Sequence, residues 1–231
     1  ADWRPSGQGG DVSDIEVVIR NLPFMAGGLL LTFQLAGLAI VGGFFLGVVL
    51  AAMRISRRAW IYYPATVYIH FFRGLPLILV IFWLYFLAPV VVGRSMNEFA
   101  AATVAFIVYE AAYLAEIIRS GIQSVPMGQQ HAAAASGLTP TQIMRFVVLP
   151  QAFSNMVPAL VTHAVVIFQD TSLAYVIGLR EFLRRVNLVD AREARSLELY
   201  LFAGLVYFCL CSLGSLVSHR LEQPNRNRVR T

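Results

Sequence analysis

The stretch Ser120–Pro150, SGIQSVPMGQQHAAAASGLTPTQIMRFVVLP, lies between two long apolar runs and decides how the rest of the chain is read. It is too long for a simple connection between helices, and its punctuation is too ordered for a linker. Pro126 can open a helix, and the alanines at 132–135 favour one. Gly137 can take the positive φ that stops it. A second helix starts at once: Thr139 suits the N-cap, Pro140 the first helical position, and Gln142 completes a capping box. Pro150 is expected to end that helix. The stretch therefore reads as helix, sharp glycine turn, helix, with Ile143, Phe146 and Val147 on one face. Such an apolar-faced hairpin needs something to bury against, either the rest of the chain or a separate soluble protein.

Outward from this hairpin, five stretches are long and apolar enough to cross a bilayer core, which takes about 20 residues per helix. They are residues 24–53, 75–92, 99–118, 156–179 and 199–218, so the loop 120–150 falls between spans three and four. Composition agrees: 58% of residues are hydrophobic and 13% charged, against roughly 25% charged in soluble chains. The missing charge means that most of the surface does not face water. The expectation is one all-α integral membrane domain over residues 1–231, with about five transmembrane helices. The polar start, Ala1–Arg20, lacks the basic-then-apolar order of a cleavable signal peptide. In the first span Gly43, Gly47 and Ala51 recur every four residues, a ridge of small side chains expected to pack closely within the chain.

The residue inventory excludes several function classes. All 18 basic residues are Arg and none is Lys. A lysine-bearing phosphate loop is therefore absent, so the chain is not a P-loop ATPase by itself, and Schiff-base chemistry is excluded as well. Cys209 and Cys211 have no neighbours at zinc-site spacing and read as packing residues. His70 and His163 are each alone among apolar neighbours and read as satisfied bundle residues rather than metal ligands.

An odd number of spans puts the termini on opposite sides. A cytoplasmic C-terminus places ten arginines inside against eight outside, so the N-terminus is expected to be periplasmic. The basic tail from Arg220 to Arg230 suits anionic lipid rather than nucleic acid.

Charges inside the spans need a reason, because each costs at least about 2.5–3.5 kcal/mol near mid-bilayer. Glu110 lies near the middle of the third span, with Arg73 or a backbone group as its expected partner if it is not exposed to a path. Glu116 and Arg119 are three apart on one helical face and are expected to pair. Gln169, Asp170, Thr171 and Ser172 form a polar strip in the fourth span, able either to bond their own backbone or to hold an α-amino group. Arg73 opens the second span and is the resident candidate to grip a carboxylate.

On these residues the chain resembles the permease subunits of ATP-binding-cassette importers. Their cytoplasmic signature runs Glu-Ala-Ala, three residues, Gly, nine residues, then aliphatic-x-Leu-Pro; Ala132, Ala133, Gly137, Val147, Leu149 and Pro150 match it, with His131 in place of the Glu. FRGLPLIL (Phe72–Leu79), EAAYLAEIIRSGIQSV (Glu110–Val125), LPQAF (Leu149–Phe153) and FQDTSL (Phe168–Leu173) resemble the polar amino acid branch. EAAY and the Gln of FQDTSL, where Lys is more usual, are most similar to the glutamate/aspartate permease subunits. The resemblance covers about residues 24–220 and implies a type I ABC importer permease fold. It implies a coupling helix pair carried by His131, Ala132, Ala133, Gly137, Leu138, Leu149 and Pro150, seated in a cleft of a cytoplasmic ATPase. It further implies two ATPase subunits that bind ATP and Mg, a second permease subunit that is a related heterodimer partner, and a periplasmic amino-acid-binding protein. This chain would bind no cofactor and carry out no catalysis itself. Its setting would be the bacterial inner membrane.

Other classes fit the same composition. A self-contained ion-coupled transporter or channel would use Glu110 and Asp170 as proton or cation sites and give the hairpin no task. A membrane scaffold would need the hairpin and neither acid. An intramembrane enzyme lacks a nucleophile and base at workable spacing. Within the permease reading, a basic or neutral amino acid is the alternative substrate, because two acids in the spans sit poorly with an acidic one.

Overall fold

The computed structural model describes residues 14–228, and every regular element among them is helical. Helix α1 (Asp14–Ile55) is followed by α2 (Ala59–Arg73), α3 (Leu77–Phe82), α4 (Ala88–Val92) and α5 (Glu98–Gln123). Then come α6 (Met127–Ala135), α7 (Pro140–Ile143), α8 (Leu149–Asp170), α9 (Phe182–Glu193) and α10 (Ser196–Arg228). Four stretches are long and apolar enough to cross a membrane alone: Glu16–Ile55, Glu98–Gln123, Pro140–Ile177 and Ser196–Ser218. The pair Ala59–Arg73 and Leu77–Val91 passes the same test together but is bent by 104°.

That bent pair corrects the sequence expectation for the second span. Residues 75–92 are only its second limb, and residues 59–73, which fall between the expected spans 24–53 and 75–92, form a helix. Helix α2 has an inward side of Ala65 and Ile69 and an outward side of Trp60, Tyr63, Val67 and Phe71. The Tyr68 hydroxyl donates to the Val108 carbonyl of α5 at 2.7 Å, which fixes the limb to the bundle. The break falls at Gly74–Pro76, where Pro76 holds an extended conformation before α3.

The bundle forms around α1 and α5. Gly43 and Gly47 put bare backbone against the alanine-rich side of α5, where Ala111, Ala112 and Ala115 are fully buried. A Cβ on Gly47 would lie 3.1 Å from the Ala115 nitrogen and 3.3 Å from the Ala111 carbonyl oxygen. The small-residue ridge is thus consumed within the chain, as expected of close-packed membrane helices.

Two π turns solve the same local problem. Trp83–Leu87 precedes Pro89, and Met144–Val148 precedes Pro150. A proline ring crowds the carbonyl four residues before it, here Tyr85 and Phe146. Widening the turn, seen as bonds from Ala88 N–H to the Trp83 carbonyl and from Leu149 N–H to the Met144 carbonyl, moves that carbonyl aside. This overturns the expectation that Pro150 ends a helix: α7 continues through the π turn into α8. Beyond Asp170, α8 tightens into a 3₁₀ segment, Thr171–Ile177.

At the other end, α9 docks on the first half of α1. Met25, Phe182, Val186, Val189, Leu199 and Ala203 share one buried cluster. Arg185 donates to the Phe24 carbonyl at 2.8 Å, and Arg20 pairs with Glu193 at 2.7 Å. These contacts give α1 a helical start well before residue 24. Glu181 caps α9, accepting from the N–H groups of Leu183 at 2.8 Å and Arg184 at 2.6 Å. It is fully buried, and burial pushes its carboxyl up to about 7 despite those two backbone bonds.

Two outcomes follow from these contacts. Gly47→Leu is expected to lower stability by about 1–3 kcal/mol through overpacking. Gly37→Ala, where a Cβ meets nothing within 4 Å, should be neutral or slightly stabilising; thermal unfolding in detergent compares the two. For Glu181, the folded carboxyl keeps a proton that an unfolded carboxyl, near 4.5, has lost. Its contribution is therefore complete below about pH 4.5, falls as pH rises to about 7, and then levels off. Melting curves at pH 5 and pH 8 should differ in that direction, and Glu181→Gln should shrink the difference.

Candidate functional site

Polar side chains line up along the inner side of α5. Glu110 is 1% exposed, held among Ala111, Phe106 and the Gly43 ridge. Its partner is His163 of α8, whose Nε2 lies 2.8 Å from Oε2 of Glu110. The expected partnership of Glu110 with Arg73 or with backbone is therefore replaced by one with His163. Asp170 lies within electrostatic reach of both groups. Tyr113, one turn along α5, stacks on His163 with ring centroids 5.7 Å apart, and its hydroxyl is 3.2 Å from that of Tyr109.

Tyr113 also meets Arg73, whose guanidinium carbon is 5.4 Å from the ring centroid. Arg73 ends α2 and faces Glu116 at 3.9 Å. Arg54, from the end of α1, reaches Glu116 at 3.4 Å, and Arg119 reaches it at 2.7 Å. The pair Glu116 and Arg119, three residues apart, is thus the centre of a four-member cluster that ties α1, α2 and α5. Nothing in the linear spacing pointed to Arg54 or to His163, which come from other helices.

The strip on α8 is divided by the structure. Thr171 is buried and its hydroxyl donates to the Phe168 carbonyl at 2.6 Å, the local bonding that hydroxyls favour in helices. Gln169 is exposed, while Asp170 and Ser172 are half-buried. His70 is exposed on α2 rather than enclosed in the bundle. Among the described residues, no group of three or more His, Cys, Asp or Glu side chains could hold a metal ion.

The hairpin sits at the end of the bundle shared by the Glu116 cluster. Gly137 has φ +86°, and across it the Leu138 N–H donates to the Ala133 carbonyl at 3.2 Å. Thr139 and Gln142 form a reciprocal capping box. The root is pinned by Gln151 donating to Gln129 at 2.7 Å, by Asn155 donating to Ser124 at 2.9 Å, and by buried Val125, Val148 and Ala152. Its outer surface stays uncovered: Phe146 is 62% exposed, and Met127, Leu149 and Phe153 project beside it. His131, Ala132 and Pro150 are exposed, and Ala133 and Leu138 are half-buried.

Residues 40–227 match the family described as binding-protein-dependent transport system inner membrane component. The chain belongs to that family, as a polar amino acid ABC importer permease. The permease is 41% identical over 217 residues to the glutamate/aspartate import permease protein GltK of Escherichia coli O157:H7, covering 91% of this chain and 97% of the relative. It is 34% identical to the arginine transport system permease protein ArtQ of Bacillus subtilis, covering 91% and 96% of the two chains. Among solved structures, an amino acid ABC transporter crystallised with histidines superposes with a TM-score of 0.87 at 30% identity, covering 92% of this chain and 99% of that one. The inward-facing MetNI methionine ABC transporter shares the fold, with a TM-score of 0.64 at 22% identity and coverage of 89% and 96%. The permease thus has the type I importer fold in a multi-pass inner membrane setting.

In the permease, breaking the buried pair has unequal costs from its two ends. His163→Leu leaves the Glu110 carboxylate enclosed without a partner and should destabilise by about 3 kcal/mol. Glu110→Gln keeps an acceptor for the imidazole and should cost about 1 kcal/mol or less. Detergent melting temperatures of the two variants check the asymmetry.

Proposed function

We propose that this permease carries glutamate and aspartate inward, driven by two separate ATPase subunits that dock on its hairpin. The observation that carries the reading is the hairpin itself: a rigid, capped helix pair whose apolar side chains point away from the bundle. A short helix held at its root and bare at its tip suits transmission of a rigid-body motion. ATP and Mg belong to the ATPase subunits, and this chain contributes no catalytic residue. Substrate arrives from a periplasmic binding protein, and a second, related permease completes the membrane part. The hairpin and C-terminus face the cytoplasm and the N-terminus the periplasm, in keeping with Arg54, Arg57, Arg58, Arg119 and Arg145 at the hairpin end.

Coupling residues in this reading are His131, Ala132, Ala133, Gly137, Leu138, Leu149 and Pro150. The path for substrate follows Gln169, Asp170 and Ser172, then Glu110 with His163, and leaves past Arg73; Thr171 supports it through the backbone. Identity to a glutamate/aspartate permease supports an acidic substrate. A second reading, a basic or neutral amino acid, is favoured by Glu110 and Asp170 in mid-bundle, which suit an amine better than a carboxylate.

The test is purification of the tagged chain from its native membranes in mild detergent, followed by ATP hydrolysis with binding protein loaded in turn with glutamate, glutamine or arginine. Co-purification of an ATPase and stimulation strongest with glutamate is the expected result. Gly137→Val has room for its side chain, since a Cβ there meets nothing within 4 Å, so its penalty is the positive φ alone. The variant should insert normally yet lose transport-coupled hydrolysis. Recovery of the chain alone would sink the reading, and full transport by Gly137→Val would remove the hairpin's role.

A further inference from the structure

Three guanidinium groups around Glu116 share one carboxylate, which leaves two positive charges without a carboxylate partner among the described residues at the hairpin end of the bundle. The three are not equivalent. Arg119 gives Nε and Nη2 to Glu116 and Nη1 to the side chain of Gln123. Arg54 donates through Nη1 to the Thr66 hydroxyl at 2.7 Å and places Nε toward Glu116. The Arg73 guanidinium makes no hydrogen bond with any described residue. Its nearest carboxylate oxygen is 3.9 Å away, its side chain is 42% exposed, and it rests over the Tyr113 ring at 5.4 Å.

Arg73 also lines a cavity of about 300 Å³, together with Tyr113, Glu116, Ile117, Arg119 and Ser120. An arginine that lines a cavity with its side chain partly exposed, with an aromatic ring beside it and a second arginine in the same lining, suits an oxyanion. Guanidinium binds carboxylate or phosphate through two parallel N–H bonds, and contact with a ring face limits its rotamers before ligand arrives. The same ring stacks on His163, so the cavity closes one end of the polar series that starts at Asp170 and Glu110.

We infer that this cavity is an oxyanion-binding site in which Arg73 grips a carboxylate or phosphate group, with Arg119 as the second positive pole. One source of that group is an amino acid leaving the path, which rests on the permease function proposed above; the other is the phosphate of a lipid headgroup at the membrane edge. Glu116 acts as the resident competitor, holding the arginines together until the oxyanion displaces it from Arg73.

The purified complex, in nanodiscs of phosphatidylcholine without binding protein, is titrated with succinate, L-glutamate and agmatine, a guanidinium cation with no carboxylate, while thermal unfolding is followed. Succinate and glutamate should raise the melting temperature saturably, and agmatine should not. Arg73→Gln, at a position exposed enough to fold, should weaken the response at least tenfold. Glu116→Gln should strengthen it, because the internal competitor is gone. A parallel series replaces the lipid with phosphatidylglycerol. An Arg73-dependent stabilisation there, with no response to glutamate, assigns the site to lipid phosphate. A shift of equal size in Arg73→Gln, or no Arg73-dependent shift with either carboxylate or phosphatidylglycerol, overturns the inference. Failure of the importer reading is seen separately, as absence of an ATPase subunit from the same preparation.

Discussion

The close approach of α1 to α5 is the contact on which the remaining arrangement depends. Where Gly43 and Gly47 bring bare backbone against Ala111 and Ala115, there is no room for water and little for side chains. In a bilayer, apolar side chains gain little by leaving lipid for protein, so association rests on dispersion between well-fitted surfaces. A seam of glycine against alanine provides that fit over several turns. The other long helices, α8 and α10, and the bent pair α2 to α4 then pack onto the two-helix base.

The seam also explains where the charges sit. Glu110 projects beside Gly43, in the tightest part of the bundle, and is tolerated there because His163 of α8 meets it at 2.8 Å. Toward the hairpin end the bundle opens. The Glu116 cluster there uses three arginines from the ends of three helices, each at the margin where a long side chain can keep its head near water. The polar series therefore passes from the enclosed contact of Glu110 with His163 to a partly hydrated ion cluster, joined by Tyr113, which contacts both His163 and Arg73.

The hairpin belongs mechanically to α8 rather than to a loose loop. Because the π turn carries the chain past Pro150 without a break, α7 and α8 form one continuous element from Pro140 to Asp170, and α8 carries His163. A push on the exposed Phe146 and Leu149 surface would be felt directly by the helix that lines the polar series. This continuity joins the exposed hairpin surface to the buried pair of His163 and Glu110 through a single helical element.

Much of this was legible from the residues alone, because it is local. Span lengths follow from runs of apolar residues. The hairpin follows from Pro126, Gly137, Thr139, Pro140 and Gln142, each acting within a few residues of itself, and the contact of Glu116 with Arg119 follows from spacing within one helix. The family, too, is carried by contiguous motifs. What escaped the sequence depends on which helix faces which. Residues 59–73 fall outside the expected spans because Pro64, His70 and Arg73 interrupt their apolar run, and only packing on α1 and α5 makes them a limb of the bundle. Pro150 looks like a stop because a proline ring clashes with an ordinary α turn; a π turn removes the clash, and no local rule requires it. Above all, the meeting of Glu110 with His163, 53 residues on, and of Arg54 and Arg73 with Glu116 is a property of the folded bundle. The sequence by itself determined that charges had to be buried in the membrane, and the tertiary structure decided how each is satisfied, since a partner for a buried charge is chosen by proximity in space.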